Sequence, residues 1–327
     1  MPTIRILSRE DIASAITMRK AIDLMRDGFI ALSSGRASVP VRMNMPLEEH
    51  GGRSLFMPVY SPDHGQIGLK VVNLSPDNPE RRLPFIHAVV MVSDAQTGIP
   101  LAFMDGEFIT SLRTGAGTGL ATEVLSRPSS SVLAMFGTGI QANTQLEAVC
   151  TVRPIKKVIV FGRSPENTEA FVKRIEQQYG VKTASAKAPE ELAEADVVCT
   201  ATTSLTPVFA AEHIAPGTHI NGIGSYRPDM TEIPAQTVAN AKVVVDQREA
   251  CLQEAGDLVV PIRRGNFDES HIYAELGDIL IGNVASRTND SEITFFKSVG
   301  NAIQDLVVAS FLEERARQED LGTEVVL

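Results

Sequence analysis

Three side chains in this 327-residue sequence stand where their neighbours could do no chemistry and they could. Lys70 lies inside Gln66-Ile67-Gly68-Leu69-Lys70-Val71-Val72, an apolar, strand-like run. A buried ammonium there loses its hydration, and its pKa falls toward the range where it can pass a proton. Arg42 interrupts the alternating positions Val39, Val41, Met43 and Met45, and a guanidinium can clamp a carboxylate through two parallel hydrogen bonds. Asp229 ends Asn221–Asp229 (NGIGSYRPD), which follows a late strand-like run where ligands of open α/β sheets gather. It is a candidate acid or base, although Pro-Asp is also an ordinary turn. Pattern alone leaves Lys70 and Arg42 open between these roles and plain solvent exposure.

A fourth feature is a turn rather than a side chain. The apolar run Val132–Phe136 feeds into Gly137-Thr138-Gly139-Ile140-Gln141-Ala142, a G-x-G-x-x-A sequence followed by helix-compatible residues and a second β-branched run, Lys157–Phe161. Strand, glycine turn, helix and strand in one unit seat a dinucleotide pyrophosphate. Gly137 allows the tight turn, Gly139 the close approach of backbone to phosphate, and Ala142 the close helix–strand contact. The helix starting near Ile140 and Gln141 aims unpaired N–H groups and its positive dipole end at the anion. After the second strand, where NAD-selective enzymes carry Asp or Glu for the ribose hydroxyls, the chain reads Gly162-Arg163-Ser164. Without a carboxylate to repel it, a 2′-phosphate can be held by guanidinium and hydroxyl, so NADP(H) is expected to be preferred, with NAD(H) possible. Arg113-Thr114-Gly115 opens a Gly-rich helical segment and offers further phosphate donors.

These residues need elements to position them. Residues 8–35 read as one helix, with Ser8 as cap, Ile12, Ile16, Ala21, Leu24, Met25 and Phe29 at helical intervals, and Gly35 as stop. Ser54–Val59, Ile67–Leu74, Phe85–Ser93 and Ile99–Met104 are strand-like, separated by Gly- and Pro-containing turns, so the first third is mainly antiparallel β. Ile109–Leu125 is helical and closed by Pro128. From Ser131 onward short strands (Val132–Phe136, Val158–Phe161, Val197–Thr202, His219–Ile223, Val243–Asp246) alternate with helical stretches, which implies right-handed crossovers and a parallel sheet. Phe296–Arg317 reads as a long amphipathic helix. The fold class expected is α/β, a Rossmann-type doubly wound parallel sheet plus a second α+β domain.

Composition narrows the partners. A net charge of −10 argues against non-specific nucleic-acid binding. Cys150, Cys199 and Cys251 are far apart with no C-x-x-C, as expected of reduced thiols in a cytoplasmic protein. Arg9, Glu10 and Asp11 precede any long apolar run, so a signal peptide is not expected, and no stretch approaches the ~18 apolar residues of a membrane span. The six histidines form no metal-ligand spacing, so no metal is expected.

Taken together, Met57-Pro58, Gly68-Leu69-Lys70, Ser111-Leu112-Arg113-Thr114-Gly115-Ala116, the Gly137–Ala142 turn, Ile223-Gly224-Ser225 and Phe296-Lys297-Ser298-Val299-Gly300 make the sequence resemble the ornithine cyclodeaminase/mu-crystallin family over nearly its whole length. The resemblance implies a homodimer of two-domain subunits. Residues 1–119 and 303–327 would form the substrate-binding and dimerisation domain, and 120–302 an inserted Rossmann domain. It further implies a carboxylate-binding arginine at Arg42, an essential lysine at Lys70, and cofactor contacts from Arg113, Thr114, Gly137, Thr138, Gly139, Ile140, Gln141, Arg163, Ser164, Thr202, Ser225 and Gly300.

Two departures turn the expected chemistry. The catalytic aspartate of cyclodeaminases falls here on Tyr226, followed by Arg227-Pro228-Asp229, and the glutamate two residues before Met-Pro is Leu55. Both losses remove acids that would hold and deprotonate a diamine. The activity expected is therefore NAD(P)H-dependent reduction of a small α-imino acid, such as Δ1-pyrroline-2-carboxylate or Δ1-piperideine-2-carboxylate. Arg42 would pin the carboxylate, and Lys70 with Asp229 or a water would supply the proton. Ornithine cyclodeaminase, an alanine-type dehydrogenase and a non-catalytic NADPH-dependent binding protein are the alternatives.

Overall fold

The computed structural model describes residues 2–327. The chain begins with strand β1 (Thr3–Leu7) and two helices, α1 (Arg9–Ala15) and α2 (Met18–Ser33). Ser8 and Asp11 close a reciprocal capping box on α1, and Thr17 caps α2 by accepting from the Lys20 N–H. That second cap is why the single helix expected over 8–35 is two: a hydroxyl that satisfies an orphan N–H starts a new helix. Then come β2 (Met43–Leu47), β3 (Gly52–Ser61), β4 (Gln66–Leu74), β5 (Ile86–Asp94), β6 (Pro100–Asp105) and α3 (Gly106–Leu125). The alternating part follows as β7 (Val132–Phe136), α4 (Ile140–Val152), β8 (Lys157–Phe161), α5 (Pro165–Tyr179), β9 (Lys182–Ser185), β10 (Val197–Thr200) and β11 (His219–Gly222). Next are α6 (Ala235–Asn240), β12 (Lys242–Val245), α7 (Arg248–Glu254), α8 (Gly256–Arg263), β13 (Ile272–Glu275), α9 (Leu276–Ile281) and β14 (Thr294–Lys297). The chain ends with α10 (Ala302–Glu319) and β15 (Thr323–Val326). Phe296 and Lys297, expected to start the last helix, are strand instead. Gly300, at φ +77°, separates strand from helix.

The chain divides into two compact units, Met1–Arg113 with Asn301–Leu327, and Thr114–Gly300. The first unit is built on a seven-stranded sheet of order β15-β1-β6-β5-β4-β3-β2, antiparallel throughout except for the β1–β6 pair. Period-2 alternation sends Met57, Val59, Lys70, Val72, Val90, Val92 and Met104 to the buried face, which α10 and α1 cover, with α2 packed on α10. The other face carries exposed Met43, Met45, Tyr60, Ile67, Val89 and Phe103. The first half of helix α10 is buried on almost every side, with Ile303, Leu306, Val307, Val308 and Ala309 at 0% exposure. It comes close to β4 because Gly68 has no side chain: a Cβ there would meet Leu306 Cδ1 at 3.0 Å and Val59 Cγ1 at 2.9 Å.

The second unit is an eight-stranded sheet of order β13-β12-β14-β11-β10-β7-β8-β9, and every pairing in it is parallel. From β7 the chain moves outward through β8 and β9, then returns to place β10 on the other side of β7. The crevice at this reversal is where doubly wound sheets bind ligands. Buried in the sheet's middle, His219 is bracketed by Thr294 Oγ1 (2.9 Å) and Asn221 Oδ1 (3.1 Å). Burial, helped by the Arg287 charge, pushes its pKa down to about 3, so it is a neutral structural histidine.

Candidate active site and dinucleotide cradle

The reactive cluster of the first unit is assembled by β4, the start of α3 and the start of α10. Lys70 points to the buried face of β4, opposite Met57 on β3 and Val90 on β5, and is 2% exposed. Its Nζ lies 2.7 Å from Asp305 Oδ2, on the first turns of α10. Asp305 Oδ1 accepts from Arg113 Nε at 3.1 Å, and Arg113 Nη1 donates to Gln304 Oε1 at 2.7 Å. Burial pulls the Lys70 pKa down, the Arg113 charge pulls it further, Asp305 pulls it back up, and Arg42 lowers it again. The outcome is an ammonium with a pKa of about 7, neutral or charged at the working pH of a cell. Arg42, half-buried immediately before β2, contributes its charge to this cluster. Leu55 shares the inward face of β3 with Met57, so the position of the missing glutamate is apolar on the Lys70 side.

Arg113 therefore stands with Lys70, its guanidinium engaged by Asp305 and Gln304. Thr114, the next residue of α3, is buried in the second unit. Asp229 is 62% exposed and gripped by both Nε and Nη2 of Arg227, at 3.0 and 2.9 Å. It is a solvated surface pair, without the desolvation that tunes Lys70.

In the second unit the Gly137–Ala142 turn has the shape its sequence implies. Gly137 adopts φ +104°, which only glycine takes readily, and a Cβ there would strike the Ala201 carbonyl at 2.6 Å. Gly139 is the N-cap of α4, with no side chain on its cap and open space where a Cβ would project. Ile140 is 71% exposed, and Gln141 Oε1 is buried without a hydrogen-bond partner. An open helix N-terminus beside an orphaned polar atom, at the reversal of the sheet, fits a dinucleotide pyrophosphate. Beyond β8, a side chain at Gly162 would overlap Thr168 Oγ1, while Arg163 is exposed and Ser164 caps α5.

Ser225 and Gly300 differ from expectation. The Ser225 hydroxyl donates to the Met230 carbonyl and accepts from the Asp257 N–H, and the Gly300 N–H donates to Asp246. Neither donor is available to a cofactor. Thr202 gives its N–H to Glu232 Oε1 at 2.6 Å.

Those partners went unnoticed in the sequence. Glu232, fully buried, also accepts from Thr200 Oγ1 (2.9 Å) and the Gly224 N–H (2.7 Å), tying the ends of β10 and β11 together. Burial and the nearby Asp257 carboxylate raise its pKa. Asp257 holds the N–H groups of Glu232 and Ile233 and pairs with buried Lys297 at 3.2 Å. Asp246 gathers Ser298 Oγ and the N–H groups of Val299 and Gly300. Asp246 carries a partial signal, a charge directly after the apolar run Val243–Val245, whereas Glu232 and Asp257 stand in mixed sequence that carries none. Burial holds the Cys150 and Cys199 thiols up at about 11 and 12, so neither is a nucleophile. Among the described residues no group of His, Cys, Asp and Glu could hold a metal ion.

Asp305→Ala leaves two buried cations without their shared counter-charge. Denaturant unfolding should show a loss of about 3–5 kcal/mol, of which Lys70→Met in the same background recovers part.

The model of the ornithine cyclodeaminase/mu-crystallin family matches residues 3–320. A Delta(1)-pyrroline-2-carboxylate reductase from Bacillus cereus is 40% identical over 322 residues, 98% of this chain and 99% of the relative. The solved reductase of that name from Thermococcus litoralis, in complex with NADH and L-proline, superposes with a TM-score of 0.95 at 40% identity, covering 98% of this chain and all of the other. An archaeal alanine dehydrogenase dimer with bound NAD superposes at 0.94 and 34% identity, over 99% of each chain. With a turn built for a dinucleotide and a lysine buried among arginines, this chain belongs to the ornithine cyclodeaminase/mu-crystallin family.

Proposed function

We propose that the protein reduces a small cyclic α-imino acid, such as Δ1-pyrroline-2-carboxylate or Δ1-piperideine-2-carboxylate, to the amino acid at the expense of NAD(P)H. The observation that carries this reading is Lys70, buried with Arg113 and Arg42 around one carboxylate and poised at a pKa of about 7. An anionic substrate adds a second negative charge to a cluster of three cations and one aspartate, so the arginines bind its carboxylate. The Lys70 ammonium gives a proton to the imine nitrogen, because an iminium accepts hydride far better than an imine. When bound, the cofactor supplies that hydride to the imine carbon, so one C–H and one N–H bond form as the C=N π bond is lost and the cofactor is oxidised. Lys70, left neutral inside its apolar surroundings, is reprotonated from solvent, and Asp305 holds it in place throughout. Leu55 on the Lys70 face and Tyr226 at the end of β11 disfavour a diamine and with it ornithine cyclisation. An alanine-type dehydrogenase is the second reading, supported by the likeness to the archaeal alanine dehydrogenase.

The reading predicts NADPH oxidation with cyclic ketimines. Since only protonated Lys70 donates, kcat/KM for reduction should be flat below pH 7 and fall as pH rises through about 7. The substrate carboxylate favours the ammonium, so the break in kcat should lie higher. Lys70→Met should lower kcat by about 10²–10⁴ and abolish the break; an unchanged profile would refute the role.

We also propose a preference for NADP(H), with NAD(H) accepted. A side chain at Gly162 would overlap Thr168 Oγ1, which disfavours a carboxylate there, and the exposed Arg163 guanidinium beside Ser164 supports this reading. Arg163→Ala should lower kcat/KM for NADPH by roughly tenfold and leave NADH unaffected, as measured by steady-state kinetics.

The exposed apolar face of the first unit's sheet, including Val89 and Phe103, supports a homodimer formed through that face. Light scattering should give twice the 35.3 kDa chain mass, and the double variant Val89→Asp, Phe103→Asp should shift it toward the monomer.

A further inference from the structure

The first turn of α10 carries more polar atoms than the protein itself satisfies. Asn301, the residue before α10, is 3% exposed, yet neither its carboxamide oxygen nor its nitrogen has a hydrogen-bond partner. Gln304, 1% exposed, has its Oε1 occupied by Arg113 Nη1 at 2.7 Å and the Asn301 N–H at 3.4 Å, while its Nε2 has none. Buried amides left unpaired are costly, and native chains keep few of them without a ligand or water to complete them. The Asn301 N–H and Arg113 Nη1 meet on Gln304 Oε1, so both residues stand beside the guanidinium that shares Asp305 with Lys70.

We propose that the Asn301 carboxamide reads the imino acid itself, its Oδ1 accepting the iminium N–H once Lys70 has delivered the proton and its Nδ2 donating to a carboxylate oxygen, with Gln304 Nε2 serving the second oxygen. The chemistry is a match of patterns. An α-iminium acid presents a donor and an acceptor on adjacent groups, N–H and C–O⁻, with two carbons between nitrogen and oxygen. A carboxamide presents an acceptor and a donor across one carbon, so a single side chain can close a nine-membered ring of two hydrogen bonds. Lys70 and the arginines recognise negative charge wherever it lies; Asn301 requires nitrogen beside it. It would thus separate α-imino acids from α-keto acids and other carboxylates of the same shape. This assignment rests on the imino-acid reading of the site.

The test is calorimetric binding of two planar, non-reacting acids to the protein saturated with oxidised cofactor. Pyrrole-2-carboxylate keeps the ring N–H, and furan-2-carboxylate replaces it with an oxygen. Wild type should bind the pyrrole acid about tenfold or more tighter than the furan acid. Asn301→Leu, close in volume, should bind both acids with nearly equal, weaker affinity. Asn301→Asp, should the leucine variant not fold, should weaken both by placing a second negative charge against the carboxylate. In every variant the affinity for NADPH, read from its bound fluorescence, should stay at the wild-type value. If the pyrrole preference survives Asn301→Leu, or if NADPH affinity falls instead, the assignment is wrong. If wild type binds neither acid and turns over no ketimine, the imino-acid reading itself fails and this assignment with it.

Discussion

The ion pair between Lys70 and Asp305 is the constraint around which the first unit is organised. A charged pair with side chains 1% and 2% exposed is expensive to desolvate and is weak evidence for stability. It is kept together by a third charge, Arg113, and by the shape of the sheet and helix around it. Gly68 lets α10 come down onto β4, and the apolar faces of Leu306 and Val59 then close over the polar atoms. The same burial that makes the pair costly brings the lysine's proton into a useful range. Packing and acid–base chemistry are therefore one arrangement here: loosening the helix would return the ammonium to water and to its ordinary, unreactive pKa.

In the second unit, carboxylates do a different task. Glu232, Asp246 and Asp257 are fully buried, and their partners are mainly backbone N–H groups at the carboxyl ends of β10, β11 and β14. Loops at this edge have no ladder to satisfy them, and a buried acceptor with several donors fixes their course as firmly as a strand would. The edge facing an anionic dinucleotide is thus held by acids placed inside, with the open N–H groups of α4 left for the anion.

Much of this was legible in the sequence because it departs from local pattern. Lys70 in a β-branched run, the glycines at 137 and 139 and the alternation after Ser131 each say something that neighbouring residues alone decide. Asp305 carries the same kind of signal within Ile303-Gln304-Asp305-Leu306, but its meaning needs a partner from the other end of the chain, and pairing across such a distance leaves no trace in spacing. Arg113 poses a related difficulty: beside Thr114 and Gly115 it resembles a phosphate donor, and only the fold reveals its bonds to Asp305 and Gln304. Likewise the last helix was begun too early because Phe296 and Lys297, buried in β14, share the hydrophobic spacing of the helix that follows.

Gly162 carries a consequence of another kind. The Thr168 hydroxyl that would collide with any side chain there is itself tied to the Ser164 carbonyl at 2.7 Å and is nearly inaccessible. An acid at position 162 requires the Thr168 hydroxyl to move or to go, and either change forfeits its bond in the opening turn of α5. The glycine and the threonine therefore constrain each other, and neither position is free to vary alone.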